Sequence, residues 1–333
     1  MGFGFNLLKK VSEKVIRRPL IVGNGIIQPF LKDKAYLLVC SRSVETKFKD
    51  RLFLSAKKTI VNTSIEIREL DDLISVLFNQ IDINSIKWVV ACGGGKINDA
   101  AKYLAKKLKR KLCIVPPILS TTNWLNGAIA LRQMNILHFA GTKWPDAVLF
   151  DPSFLLENPK ELHVSGIADI LCCSSALYDW KLASIHSKDH FSNVGFQEFQ
   201  KFIHKVICKP NIFKEMNEKS IITILEYFIE AMALCGACMS GRPLEGSEHF
   251  MYYYLDEQSN KSLIHGSVIA ITSLLGLKLQ GENAAIEPEK MEHFYKTIGI
   301  NLQYVTINSA ELPTIKEFVE NRKYGYSILN QIT

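Results

Sequence analysis

Lys87-Trp88-Val89-Val90-Ala91-Cys92-Gly93-Gly94-Gly95-Lys96-Ile97-Asn98-Asp99-Ala100-Ala101-Lys102 is the stretch on which the fold turns. Its first six residues are mostly apolar and rich in strand formers. Three glycines follow, and then a helical pattern. Glycine lets a backbone approach a phosphate without a Cβ in the way. A helix starting just after the loop turns its free N–H groups and positive dipole end toward that anion. Asp99 is expected in the first helical turn as a capping carboxylate. A ligand-free strand-to-helix turn would not require three consecutive glycines, so Gly93, Gly94, Gly95, Lys96 and Asp99 are read as a nucleotide-binding loop. The loop lacks the Lys-Ser/Thr pair of the Walker pattern and is not the usual Gly-x-Gly-x-x-Gly.

Working outward, the first half alternates strand-like and helical runs. Pro19–Gly23, Ala35–Cys40, Lys87–Cys92, Lys111–Val115 and Ala147–Phe150 read as strands. Residues 43–56, 70–80 and 97–109 read as helices. Continuous apolar strands separated by helices predict a doubly wound parallel sheet of Rossmann type. After Asp151-Pro152 the patterns become almost entirely helical, as in Ile221–Met239, where apolar residues recur at three and four. Gly241-Arg242-Pro243 punctuates the end of that run. The expectation is an α/β N-terminal domain over 1–155 and an all-helical domain over 156–333, with ligands in the cleft at the carboxyl ends of the strands.

Composition narrows the class. The chain has 333 residues, 47% hydrophobic and 22% charged, the balance of a soluble globular protein. The net charge of +7 favours anionic ligands such as phosphates. No basic stripe with interleaved aromatics or nucleic-acid module is present, so nucleic acid is not an expected partner. The cysteines number eight and mostly sit in apolar runs, as buried free thiols do. Cys235 and Cys238 lack a second pair at zinc-ribbon spacing, so they are read as residues of a structural helix. Reduced thiols suit a cytoplasmic protein. No apolar stretch is expected to reach membrane-spanning length, so stable membrane insertion is not expected. Met1–Arg18 is basic and amphipathic without a signal-peptide cleavage pattern.

Three segments of the second half carry metal-ligand chemistry: Ser165-Gly166-Ile167-Ala168-Asp169, Gly241-Arg242-Pro243-Leu244-Glu245-Gly246-Ser247-Glu248-His249, and His265-Gly266-Ser267-Val268. In the first half, Gly23-Asn24-Gly25 follows the first strand, and Pro116-Pro117-Ile118-Leu119-Ser120-Thr121-Thr122-Asn123 follows Lys111–Val115. Together with Gly93-Gly94-Gly95-Lys96-x-x-Asp99-x-Ala101-Lys102, these segments resemble the iron- or zinc-dependent alcohol and polyol dehydrogenases, which include glycerol dehydrogenase, sn-glycerol-1-phosphate dehydrogenase and dehydroquinate synthase. The resemblance runs from about Pro19 through Gln280 and is nearest to the glycerol-1-phosphate enzymes. The tail after Gly281 carries no specific signal.

The resemblance implies a metal held by Asp169, His249 and His265 on three helices. Zn2+ is the expected ion, with Fe2+ or Ni2+ as alternatives, since two histidines and one carboxylate leave a position open for a substrate oxygen. It also implies that Ser120, Thr121 and Thr122 line the nicotinamide ribose and substrate. Two positions depart from the pattern: Thr122 where many relatives carry Asp, and Tyr253 where they carry a second histidine. Tyr253 becomes the candidate proton relay. The implied activity is NAD(P)(H)-dependent reduction of a small polyol's ketone, for instance dihydroxyacetone phosphate, by a homodimer or higher oligomer. Cyclase chemistry of the dehydroquinate-synthase kind and a catalytically impaired nucleotide binder are the alternatives. After the second strand, Ser41 and Arg42 stand where an acidic residue would accept the 2′-hydroxyl of NAD. A hydroxyl and a guanidinium suit a 2′-phosphate, so NADP(H) is favoured over NAD(H). Arg242 is a candidate contact for a substrate phosphate.

Overall fold

The computed structural model describes residues 20–259 and 263–332. Met1–Arg18, and Pro19 of the first expected strand, lie outside the described residues. The chain divides into two units, Met1–Pro159 and Lys160–Thr333.

In chain order the N-terminal unit contains β1 (Leu20–Val22), α1 (Ile27–Leu31), β2 (Tyr36–Cys40), α2 (Arg42–Leu52), β3 (Ala56–Val61), α3 (Ile67–Gln80), β4 (Trp88–Cys92), α4 (Gly95–Lys107), β5 (Lys111–Ile114), β6 (Ala128–Gln133), β7 (Ile136–Thr142), β8 (Ala147–Phe150) and α5 (Pro152–Leu155). Six strands form one sheet in the order β1-β8-β5-β4-β2-β3, and every neighbouring pair is parallel. Strands β2 and β8 are buried throughout, which explains their unbroken apolar sequences. From β2 the chain steps outward to β3, then crosses back to β4 on the other side of β2. The strand order therefore reverses between β2 and β4, the position at which open α/β sheets bind ligands. Cys40 and Cys92 pair in register there, and Ser41 N–H donates to the Cys92 carbonyl at 3.2 Å.

Strands β3, β6 and β7 are absent from the sequence expectation. The helix expected over 43–56 stops at Leu52, and Ala56–Val61 becomes the edge strand β3. Lys57 and Lys58 interrupt its apolar pattern, as charges on an edge strand do. Strands β6 and β7 form a separate antiparallel hairpin whose turn, Met134-Asn135, has φ of 54° and 64°. Two successive positive φ values are what a two-residue hairpin needs. The hairpin packs Ile129 and Leu131 against Leu70 of α3 and Ala100 and Tyr103 of α4.

Helix α4 begins at Gly95 with Gly94 as its N-cap, two residues before the expected start. Asp99 consequently lies in the second turn, buried, and does not cap the helix. The cap expected of Asp99 is replaced by bare glycine backbone.

The C-terminal unit is helical among the described residues: α6 (Lys160–Leu171), α7 (Cys173–His186), α8 (Asn193–Ile207), α9 (Glu218–Cys238), α10 (Ser247–Gln258), α11 (His265–Gln280), α12 (Pro288–Ile298) and α13 (Leu312–Asn321). Helix α9 corrects one expectation: its 21 residues are long and apolar enough to cross a membrane by length and composition. Half of its most apolar window is buried inside the protein, and Tyr227 packs edge-on to Phe202 of α8. The tail after Gly281, silent in the sequence, is part of this unit. Leu312, Ile315, Val319 and Leu329 pack on Phe250 and Met251 of α10.

The Asp151-Pro152 junction, where the sequence changes character, is a capped helix start. One Asp151 oxygen accepts from Phe154 N–H (3.2 Å) and Ser153 Oγ–H (2.6 Å), and the other from Ile26 N–H (3.0 Å). The side chain thus ties the loop after β1 to the start of α5. Asp151→Ala removes the cap and leaves the buried acceptor's partners unpaired, so it should cost about 2 kcal/mol. A lower denaturation midpoint, partly recovered by Asp151→Asn, is the expected result.

Candidate active site

The glycine loop sits at the carboxyl end of β4, beside the switch point. Its three glycines do different work. A Cβ on Gly93 would lie 2.6 Å from the Ile97 Cβ, so the turn itself excludes a side chain there. Gly94 has φ −74° and ψ −171°, backbone that any residue adopts. A Cβ there would meet nothing nearer than the Ile118 side chain at 3.9 Å, and one on Gly95 nothing nearer than Thr121 Oγ1 at 3.9 Å. Neither packing nor backbone conformation requires glycine at 94 or 95. What their bareness provides is a lining with no side chain over the first turn of α4, whose leading amides have no intrahelical acceptors. That is the cradle a pyrophosphate needs.

The other expected nucleotide contacts gather around this loop to different degrees. Thr121 lies beside Gly95, and its Oγ1 accepts the Asn123 amide at 3.2 Å. Ser120 and Thr122 are half-buried in the same segment. Ser41, next to Cys92 across the switch point, is the N-cap of α2, with Val44 N–H donating to its Oγ at 3.4 Å. The Arg42 guanidinium is exposed and pairs with Glu45 at 2.5 Å. Asp99 is turned inward: Asn123 Nδ2 donates to its two oxygens at 3.0 and 3.1 Å.

In the C-terminal unit the three expected ligands do come together. Asp169 is near the end of α6, His249 in the first turn of α10, and His265 opens α11. His265 Nε2 lies 2.9 Å from Asp169 Oδ1, and His249 Nε2 lies 3.8 Å from the same oxygen. One candidate ligand atom from each residue lies within 4.8 Å of the others. Ligand atoms about 2.1 Å from a shared ion stand about 3.4 Å apart in a tetrahedron, so small side-chain adjustments suffice. Asp169 and His249 are buried, and His265 is the most open of the three.

Glu248, which the sequence reading passed over, completes the arrangement. It is fully buried, and its Oε1 lies 3.0 Å from His249 Nδ1. Gly246 N–H donates to the same oxygen at 2.7 Å, and Ser175 Oγ–H donates to Oε2 at 2.8 Å. With Nδ1 against Glu248, Nε2 is the ring nitrogen turned toward Asp169. This is the carboxylate-behind-histidine arrangement of metal sites. The electrostatics agree. Burial pulls the His249 pKa down, but the hydrogen bonds and charges of Asp169 and Glu248 outweigh it and carry it up to about 10. Burial pushes Asp169 up, but the hydrogen bonds from His249 and His265 outweigh it and hold its carboxyl well below the usual range. Two buried carboxylates are asking for a cation at the Nε2 position, and the donor set fits a divalent ion.

A second cluster, Cys172, Glu248 and His249, is equally close-set. Burial pushes the Cys172 thiol well up, and its proton is donated to the Leu244 carbonyl. Asp169, His249 and His265, whose ligand atoms face one another from three helices, are the stronger candidate set.

Small residues set the helix spacing. A Cβ on Gly266 would lie 1.9 Å from the Ser165 carbonyl oxygen, so α11 touches α6 backbone to backbone, next to His265. A Cβ on Gly246 would lie 2.7 Å from Asp179 Oδ2 and 2.8 Å from Ala176 Cα. Asp179 accepts Ser247 N–H and Ile328 N–H, both at 2.7 Å, tying the start of α10 to the C-terminal tail. Burial, with the Glu248 charge added, raises its carboxyl to about 6.

Two other expected residues behave differently. Tyr253 has its ring 6.2 Å from that of His249, but its hydroxyl donates to Glu245 Oε1 at 2.7 Å. Burial, then the Glu245 charge, pushes the phenol well above its ordinary value. Arg242 does not present a phosphate site. Its guanidinium donates to the carbonyls of Glu245 (3.1 Å) and Tyr326 (2.5 Å) and lies over the Phe250 ring.

The chain and its fold are similar to known proteins. A family model described as iron-containing alcohol dehydrogenase matches residues 27–159. The solved structure of a probable glycerol dehydrogenase from Sinorhizobium meliloti superposes with a TM-score of 0.69 at 20% identity, covering 95% of this chain and 92% of that one. The fold is that of the iron-containing alcohol dehydrogenases. Within that fold, the chain is 24% identical over 301 residues to the glycerol-1-phosphate dehydrogenase [NAD(P)+] of Picrophilus torridus, covering 89% of this chain and 85% of the relative. It is 25% identical over 282 residues to the enzyme of the same name from Pyrococcus horikoshii, covering 84% and 78%. The family model spans the glycine loop and every strand of the sheet but β1, while the fold likeness to the solved structure extends over the helical unit that carries the triad.

Two experiments follow from the geometry. Gly93→Ala should lower the melting temperature, because Ile97 cannot move aside cheaply. Gly94→Ala changes the N-cap without a clash, so it should cost no more than about 1 kcal/mol, yet weaken nucleotide binding in a titration with NADPH or NADH. Equal thermal effects of the two would contradict the division of labour among the glycines. For the triad, Glu248→Gln should weaken Zn2+ binding by about 10- to 100-fold, read by competition with a chromophoric chelator.

Proposed function

We propose that the chain is a metal-dependent NAD(P)(H) oxidoreductase that interconverts a small hydroxyketone, phosphorylated or not, with its polyol. Dihydroxyacetone phosphate is the first substrate to test. The observation that carries this reading is the triad of Asp169, His249 and His265 with Glu248 behind His249. The glycine loop at the switch point supplies the other half.

When bound, the ion polarises a substrate oxygen and the nicotinamide exchanges a hydride with the adjacent carbon. The chain's own residues do the rest. Asp169 and His265 are the ligands tied by a 2.9 Å contact, and Glu248 fixes the tautomer and orientation of His249. Gly94 and Gly95 leave room for pyrophosphate, and Ser120, Thr121 and Thr122 supply hydroxyls beside the loop. Ser41 and Arg42 stand where a 2′-phosphate would be read, which favours NADP(H) over NAD(H). Tyr253 holds its proton on Glu245 and serves best as a fixed hydrogen-bonding group near His249, not as a group that ionises near neutrality.

The reading includes a homodimer or higher oligomer, resting on the resemblance alone. It includes a cytoplasmic location, resting on eight unpaired cysteines. The test is a spectrophotometric assay of purified full-length protein, supplied in turn with Zn2+, Fe2+ or Ni2+, across hydroxyketones and their phosphates. Substrate-dependent NADPH or NADH oxidation that chelation abolishes and the ion restores is the expected outcome. No oxidation with any ketone and ion would overturn the reading. Net nucleotide turnover also separates a dehydrogenase from a cyclase, which would return its nucleotide unchanged.

A further inference from the structure

Lys102 is fully buried in α4, an unusual position for a lysine. Its ammonium has three protons to give and is surrounded by acceptors from one short segment. The Asn123 carbonyl is at 2.9 Å, Asn123 Oδ1 at 3.1 Å, Asn126 Oδ1 at 3.4 Å and the Ala128 carbonyl at 2.9 Å. Asp99, one turn earlier on α4, stands 3.6 Å away and accepts both contacts from Asn123 Nδ2. Burial lowers the lysine to about 8 against the opposing pull of Asp99, and burial raises Asp99. Such a pair costs folding energy that an apolar pair would not.

The contacts lead in one direction. Asn123 donates its amide to Thr121 Oγ1, and Asn126 Nδ2 reaches the Thr122 carbonyl at 3.5 Å. Lys102 and Asp99 therefore hold, from inside the helix that follows the glycine loop, the two asparagines that hold Thr121 and Thr122. We infer that Lys102, with Asp99, is a positioning residue for nucleotide binding: it fixes the Ser120–Asn126 segment in register with Gly94 and Gly95, so that the nucleotide meets a preformed pocket. This assigns Asp99 to the same latch instead of to direct contact with nucleotide. The inference rests on the proposed function, because it supposes that a nucleotide occupies the loop.

The test is a fluorescence titration with NADPH and with NADH on the full-length wild type, Lys102→Met and Asn123→Ala, with Zn2+ affinity and melting temperature measured alongside. Lys102→Met is expected to raise the nucleotide Kd about 10-fold or more, with Zn2+ affinity unchanged because the triad lies in the other unit. Asn123→Ala leaves Lys102 and Asp99 paired, so it reports on the latch even if Lys102→Met does not fold. It should raise the Kd several-fold. A lower melting temperature with nucleotide Kd within twofold of wild type in the soluble variants would make Lys102 merely structural and overturn the inference. A wild type that binds neither nucleotide overturns the functional reading, and the inference with it. Wild-type binding combined with unaltered variant binding overturns the inference alone.

Discussion

One imidazole held between two buried carboxylates is the constraint around which the C-terminal unit is built. His249 faces Glu248 on one ring nitrogen and Asp169 on the other. Two buried negative charges are costly without positive charge between them, and an imidazole at its ordinary pKa does not supply it near neutrality. The geometry therefore demands either a proton held far more tightly than usual or a metal ion in its place. Much of the surrounding structure serves this demand. Ser175 and the Gly246 amide satisfy Glu248. Asp179 fixes the start of α10. Gly266 allows α11 to reach α6, which brings His265 against Asp169.

The N-terminal unit meets a different demand with different means. Its sheet is an apolar layer that needs no charge, and its loop leaves room for charge that a ligand would bring. The loop does so by leaving atoms out, with Gly94 and Gly95 bare over the α4 terminus. The segment beside the loop has no such freedom. It is irregular backbone with carbonyls to satisfy, and the burial of Lys102 satisfies two of them at once. One unit thus buries carboxylates that await a cation, and the other buries a cation that completes its own backbone.

How much of this was legible follows from where each signal lives. The strands at the sheet centre were readable because burial on both faces leaves continuous apolar runs in β2, β4, β5 and β8. Edge strand β3 was not, since one exposed edge lets Lys57 and Lys58 stand in the middle of it. The β6–β7 hairpin was missed because Met134-Asn135 lacks the glycine that usually marks such a turn. Asp169, His249 and His265 were found through resemblance. Spacing alone could not have joined residues nearly a hundred positions apart. Glu248 left no signal, because neighbours in a helix ordinarily face different directions, and only the N-terminal placement of His249 in α10 brings the two side chains together. Arg242 misled for the converse reason: its charge was visible in the sequence, while the carbonyls that occupy it belong to Glu245 and the distant Tyr326.

The glycines make the same point more sharply. In the sequence, Gly93, Gly94 and Gly95 are equivalent, and Gly266 is one small residue after a histidine. In the structure, Gly93 and Gly266 are where a side chain would collide with Ile97 or with the Ser165 backbone, so they belong to folding. A Cβ on Gly94 or Gly95 would meet only ordinary contacts at 3.9 Å, and neither residue has left-handed backbone, so folding does not explain them. A position that the fold leaves free, yet the sequence leaves bare, is best explained by something that arrives after folding. On steric grounds alone, and independently of the triad, the loop is therefore a candidate nucleotide site, and the two candidate sites together fit the dehydrogenase chemistry of the proposed function.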